Sequence, residues 1–188
     1  YVPKAIEEHN SLYNILHCFT DGNCYEFTDI LSVVLKNDIV RSSVIKECIN
    51  HERKLYNNNI LKDVLTKLDI KSLVNTLLSG HNEFKKIFTH PIPNLIFTRD
   101  IAVCIGNTIL ISWSRKDVRK RENILAKYIF SYYKPFNDLT IYDFHTNHPN
   151  LSIEGGDILI FDKETICIGV SERTPLDAII EILPLIYK

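Results

Sequence analysis

Two stretches place acids beside apolar strand-like runs, and they carry the residues best suited to chemistry. "NLIFTRD", residues 94–100, ends in Asp100, and "SIEGGDILIF", residues 152–161, supplies Glu154, Gly155, Gly156 and Asp157. A bare turn would need one glycine and no acid. Arg119 lies 19 positions beyond Asp100, and Arg173 lies 19 positions beyond Glu154. Carboxylates held close raise one another's pKa unless a cation separates them, so an Asp and a Glu brought together call for a metal or a cationic ligand. A guanidinium suits them, because its planar donors meet carboxylates in pairs; Mg²⁺ or Ca²⁺ would want more oxygens than this stretch clusters. Two arginines about a hairpin away suit a carboxylate at the other end of the same ligand.

The elements that must position these residues come in two textures. Residues 3–28 read as a helix carrying Ala5, Ile6, Leu12, Ile15 and Leu16, a turn at "TDGN" and a short strand "CYEF". Residues 31–88 read as mostly helical. One helix runs from "SVVLKND" to "INHERKL" with Leu35, Ile39, Val40, Val44 and Cys48 on one face, a break falls at Asn57–Asn59, and a last helix is capped by Asp69 and stopped by Gly80. From Pro91 onward strands take over. "IAVCIGNTILIS" is a hairpin about Gly106 and Asn107, followed by a helix with the stripe Val118, Leu125, Tyr128, Ile129 and Tyr132. "DILIFDKETICIGV" is a second hairpin, followed by a helix expected to open with Thr174 as cap and Pro175 in its first turn. The same strand-strand-helix unit thus occurs twice. Repeated units that cannot bury their apolar faces alone stack on one another, which would gather equivalent positions, Asp100 and Glu154, about one axis.

Composition bounds the rest. The chain has 188 residues, 45% of them hydrophobic, enough for a core, and its net charge of −1 gives no general attraction for nucleic acid or anionic membranes. The basic run "SRKDVRKR" is interrupted by Asp117, followed by Glu122 and accompanied by no aromatic interleaving, which argues against a nucleic-acid stripe. Five cysteines without a CxxC pair signal neither a disulfide framework nor a zinc site and suit a reducing cytoplasm. No apolar run approaches a membrane span. The chain has no Met and opens at Tyr1, which suggests a piece of a longer reading frame.

Plainer readings stand beside the functional ones. The shared spacing of 19 could be coincidence. Arg99 and Asp100 could form an ordinary ion pair, and "RKRE" could be a solvated helix face. Cys104 and Cys167, inside apolar strands, read as small buried hydrophobes, and Cys18, Cys24 and Cys48 offer no nucleophile. His81 follows the Gly80 stop, and His145 and His148 read as idle loop residues. The joint register of Asp100, Arg119, Glu154 and Arg173 is what favours function.

"PNLIFTRD", "VRKRE", "SIEGGD" and "GVSERT" resemble, in order, signatures of the arginine deiminase family, guanidine-modifying enzymes of the pentein superfamily; "IEEHNSLYNIL" and "YEFTDIL" extend the resemblance toward the start of the chain. The resemblance implies an α/β fold: part of a pentein α/β-propeller built of ββα modules, with residues 1–30 in a first module, 31–88 an α-helical insertion, and 89–188 a second module and the start of a third. It implies that Asp100 and Glu154 are catalytic residues gripping the substrate guanidinium, that Asn94 and Phe97 line the substrate's stem and carboxylate end, that Arg119 and Arg173 bind its α-carboxylate, and that Asp157 belongs to the same site. Gly155 and Gly156 would let the backbone approach the ligand. The substrate implied is L-arginine, hydrolysed to L-citrulline and ammonia through a cysteine-bound intermediate, with no cofactor, no metal, no nucleic-acid partner and no membrane, and with a homo-oligomer left open.

The family's nucleophilic cysteine and His-x-Asp motif belong to later modules, so the resemblance leaves this stretch with only the binding half of the site, inactive by itself. The alternative is a truncated, catalytically inactive remnant acting as a binding or interaction protein. An agmatine deiminase or an amidinotransferase is disfavoured by Arg119 and Arg173 together.

Overall fold

A computed structural model describes residues 1–51, 58–83 and 85–187. The fold is mixed α/β, helical over its first half. Helix α1 (Val2–Phe19) forms as its periodicity predicts, but it buries none of its residues. Its chain then reverses through Asp21 and Gly22, both at positive φ. The strand expected at "CYEF" does not form: Glu26 is extended, and Phe27 already opens α2 (Phe27–Val34). A run of four residues makes a strand only where another strand supplies hydrogen bonds, and none pairs here.

The single long helix expected beyond residue 31 is two. Asn37 ends the first, because its side-chain oxygen accepts the N–H groups of Ile39 and Val40 and so caps α3 (Asp38–His51). Leu35, Val40, Val44 and Cys48 are buried as expected, together with Ile45 and Ile49, whereas Ile39 in the first turn of α3 is exposed. Asn57 lies outside the described residues, as does "ERKL" at the end of the expected helix, while Asn58 and Asn59 open α4 (Asn58–Thr66). In α5 (Ile70–Ser79) the cap and stop are those expected: Asp69 accepts from the Ser72 N–H at 3.0 Å, and Gly80 sits at φ 80°.

The strands follow the short α6 (Thr98–Ile101). β1 (Ala102–Ile105) and β2 (Thr108–Ile111) form the hairpin about Gly106, whose φ of 58° is what the turn demands. After α7 (Asp117–Tyr132) the chain returns as β3 (Thr140–Asp143), parallel to β2, so α7 is a crossover helix and the sheet order is β1-β2-β3. β3 is not evident from the sequence, where "TIYD" is too short to show a period. Of the expected stripe on α7, Leu125 and Ile129 are buried, while Tyr132 is exposed. The short α8 (Phe144–Asn147) follows. β4 (Ile158–Ile160) and β5 (Ile166–Ile168) form the second hairpin, and α9 (Leu176–Ile186) closes the second strand-strand-helix unit. Pro175 is the N-cap of α9, and the Thr174 side chain does not cap it.

An apolar core joins the helical half to the first sheet, with Leu31, Leu35, Ile45, Leu65, Leu73, Leu77, Phe88, Leu110, Leu125 and Phe144 among its fully buried members. Arg121 fastens these halves together. Its buried guanidinium donates to the Leu77 and His90 carbonyls at 2.9 and 2.5 Å and lies over the Phe88 ring. The plainer reading of "RKRE" as a solvated helix face does not hold, since Arg119, Arg121 and Glu122 are all buried. Cys104 and Cys167 are also corrected: both lie on exposed strand faces. His145 is no idle loop residue but stacks on Trp113 at 3.7 Å, and His148 bonds the Tyr142 hydroxyl at 2.8 Å. Among the described residues no helix is long and apolar enough to cross a membrane.

Candidate active site

Hydrogen bonds from both backbone and side chains bring the two acidic stretches together. Trp113, just past β2, and Ile153 exchange both backbone hydrogen bonds at 3.0 Å, forming a one-pair antiparallel bridge between the two units. The Ser112 N–H donates to the Ile101 carbonyl, and the Ser112 hydroxyl accepts from the Gly155 N–H at 3.1 Å. Arg99 completes the junction by donating to the Ile158 carbonyl, instead of pairing with Asp100 as the plainer sequence reading had it. Asp100 and Glu154 are therefore neighbours across one seam.

The glycines exist for this seam. A Cβ on Gly155 would stand 2.1 Å from the Arg99 carbonyl oxygen, and one on Gly156 would stand 2.2 Å from Asp100 Oδ1. The close approach expected of the glycines is real, but the group they admit is the Asp100 segment of the protein itself.

At the centre lies Arg119. Its Nη1 donates to Asp100 Oδ2 at 2.9 Å and lies 3.5 Å from Glu154 Oε2, while Nε and Nη2 both donate to Glu122 Oε2, at 3.1 and 2.9 Å. Three carboxylates thus surround one buried guanidinium. The second arginine of the register stands at the rim: Arg173 is half-exposed, with Nε 3.7 Å from Glu154 Oε2 and Nη2 3.5 Å from Asp157 Oδ1. All four residues of the 19-residue register meet, and Asp157 meets them. Arg119 stands between the acids rather than a hairpin's length away from them.

Electrostatics follow from burial. Loss of solvent pushes the Glu154 carboxyl above its ordinary pKa, against the pull of Arg119, with Asp100 adding to the rise. Glu122, with no exposed surface, is likewise raised by burial against its Arg119 hydrogen bonds. Burial alone would make Arg119 easier to deprotonate, but its bonds to Glu122 and Asp100 outweigh that, and its pKa is raised. Counting Asp157 and Arg173, four acids face two guanidinium groups. Such an excess of acids is relieved by a proton retained on one of them or by a further cation.

The other expected site residues lie beside the seam. The Asn94 N–H donates to Glu122 Oε1 at 3.3 Å, and Phe97 is an exposed residue preceding α6, three positions before Asp100. Sequence reasoning missed four participants. Glu122 was concealed in a charged run, and Ser112 in an apolar one. The Thr174 hydroxyl accepts from the Glu154 N–H at 3.1 Å, which is why it is unavailable as a helix cap. Ser171 donates its hydroxyl to Asp157 Oδ2 at 2.8 Å and accepts from the N–H groups of Arg173 and Thr174, so the "SERT" turn holds Arg173 against the acids. Ser-x-x-Thr turn chemistry is a signal that could have identified this last pair.

A family model described as arginine deiminase matches residues 42–187. An arginine deiminase of Borreliella burgdorferi is 30% identical, with the match covering the whole chain and 50% of that protein. One of Limosilactobacillus reuteri is 27% identical over the whole chain and 50% of its own length, and one of Borrelia duttonii is 27% identical over 95% of the chain and 48% of its own length. The chain spans about half the length of these curated relatives. With the family model covering most of the chain, including every residue of the acid and arginine cluster, the chain belongs to the arginine deiminase family.

Proposed function

We propose that the protein carrying this chain hydrolyses L-arginine to L-citrulline and ammonia, and that this chain supplies the half of the site that grips the substrate. The observation behind this is the surplus of carboxylates, Asp100, Glu122 and Glu154, around the single guanidinium of Arg119. Asp100 and Glu154 hold the substrate's guanidinium, with Nη1 of Arg119 giving way as the ligand arrives. Arg119 and the more exposed Arg173 then receive the α-carboxylate, Asn94 and Phe97 flank the stem, and Asp157 keeps Arg173 in place.

In this reading a cysteine thiolate attacks the guanidinium carbon, ammonia departs with a proton from a histidine, and water, deprotonated by the same histidine, cleaves the thiouronium to citrulline and regenerates the thiol. Both groups would be supplied from outside residues 1–188, and this stretch alone would be inactive. Residues 1–30 and 89–188 belong to modules of a pentein propeller, residues 31–88 are its helical insertion, and the protein works in the cytoplasm without cofactor or metal. The test is citrulline release by the full natural protein from L-arginine and from agmatine, which lacks the carboxylate. Turnover of arginine with marked preference over agmatine is expected. Equal use of both would remove the carboxylate-binding role of the arginines, and no release from either would favour a binding remnant.

A further inference from the structure

We infer that Glu122 is a positioning residue that presents Arg119 to the substrate's carboxylate and fixes the wall of the substrate seat, an inference that rests on the arginine deiminase reading. Glu122 lies one helical turn beyond Arg119 on α7, so its carboxylate stands beside the guanidinium. One oxygen, Oε2, takes both Nε and Nη2 of Arg119, which fixes the guanidinium plane and leaves Nη1 as the corner directed at Asp100 and Glu154. The other oxygen, Oε1, accepts the Asn94 N–H from the segment that leads to Phe97 and Asp100. A single carboxylate with no exposed surface therefore ties the arginine to the loop carrying the proposed stem wall.

The charge matters as much as the shape. Three acids compete for Arg119, and without the Glu122 anchor the guanidinium is free to settle fully on Asp100 and Glu154, in the seat proposed for the substrate. Glu122→Gln keeps the volume but cannot offer a charged oxygen to both Nε and Nη2.

The experiment measures steady-state citrulline release by the full natural protein, wild type and E122Q, over a range of L-arginine concentrations, with a thermal melt of each. Loss of a charge-assisted anchor is expected to raise KM at least about tenfold while kcat changes by less than about threefold. A role confined to holding the fold would instead lower kcat through the active fraction and leave KM alone. That result, or an unchanged KM with unchanged kcat, overturns the inference. Should E122Q fail to fold, Glu122→Asp takes its place: the charge remains, the reach shortens, and a raised KM is again expected, with an unchanged KM as refutation. Failure of both variants to fold also overturns it, because the residue is then structural. A wild-type protein that releases no citrulline sinks the deiminase reading itself, and this inference with it.

Discussion

Gly155→Ala is the perturbation whose size the structure fixes most closely. An added Cβ would lie 2.1 Å from the Arg99 carbonyl oxygen and 3.2 Å from the Val103 Cβ. An ordinary carbon–oxygen approach is about 3.3 Å, so one of the two backbones must retreat by roughly 1.2 Å. Neither can do so cheaply: Gly155 is held by the Ser112 hydroxyl, and Ile101, two residues after Arg99, accepts from the Ser112 N–H. The backbone conformation of Gly155 itself is open to alanine, so the effect is steric alone. Overpacking of this kind costs about 3 kcal/mol when the neighbour is rigid. Gly156→Ala meets instead a side-chain oxygen, Asp100 Oδ1 at 2.2 Å, which can swing aside. Its stability cost is expected near 1 kcal/mol, but the swing pulls Asp100 from its place in the acid cluster. Denaturant unfolding of the full natural protein, with citrulline release measured in parallel, separates these effects. Gly155→Ala is expected to lose stability chiefly, and Gly156→Ala to raise KM chiefly. If both variants keep wild-type stability and KM, the close seam between the two acidic stretches does not exist.

Other consequences are separately measurable. Arg173→Ala removes a half-exposed arginine whose partners keep other contacts, and it is expected to raise KM for L-arginine with little loss of stability; a pure kcat effect would contradict a carboxylate-binding role. Arg121→Lys cannot reproduce the bonds to Leu77 and His90 and is expected to cost about 2 kcal/mol of stability with KM unchanged. Burial lowers the His145 pKa below its ordinary 6.5, so the unfolded chain binds the proton more readily. The stability this represents is present above pH 6.5 and lost as pH falls through the folded value; His145→Phe should flatten that part of a plot of unfolding free energy against pH, and an unchanged slope would contradict it.

Local chemistry was legible in the sequence wherever a residue acts on its own neighbours. Asp69, Gly80 and Gly106 do in the structure what their types predict, and both hairpins fall where the turn residues put them. The register of Asp100 and Glu154 also carried through, because each precedes a hairpin of the same kind. What stayed hidden depends on distant partners. "CYEF" has strand composition and no strand to pair with. Cys104 and Cys167 have apolar neighbours in sequence, but their strand faces are left uncovered. Glu122 looks like any acid in a charged run until Arg119 and the Asn94 segment close over it. The glycines were expected to admit a ligand, and what they admit is the loop that brings Asp100 to Glu154.

The most direct test is the rate of citrulline release from L-arginine by the full natural protein carrying Asp100→Ala. Arg119 retains Glu122 and Glu154 in that variant, so the fold is expected to survive, as a thermal melt would verify. Removal of one of the two proposed guanidinium anchors is expected to lower kcat/KM by at least about 100-fold. A well-folded variant within about threefold of wild type would mean that the substrate's charged end does not sit between these acids.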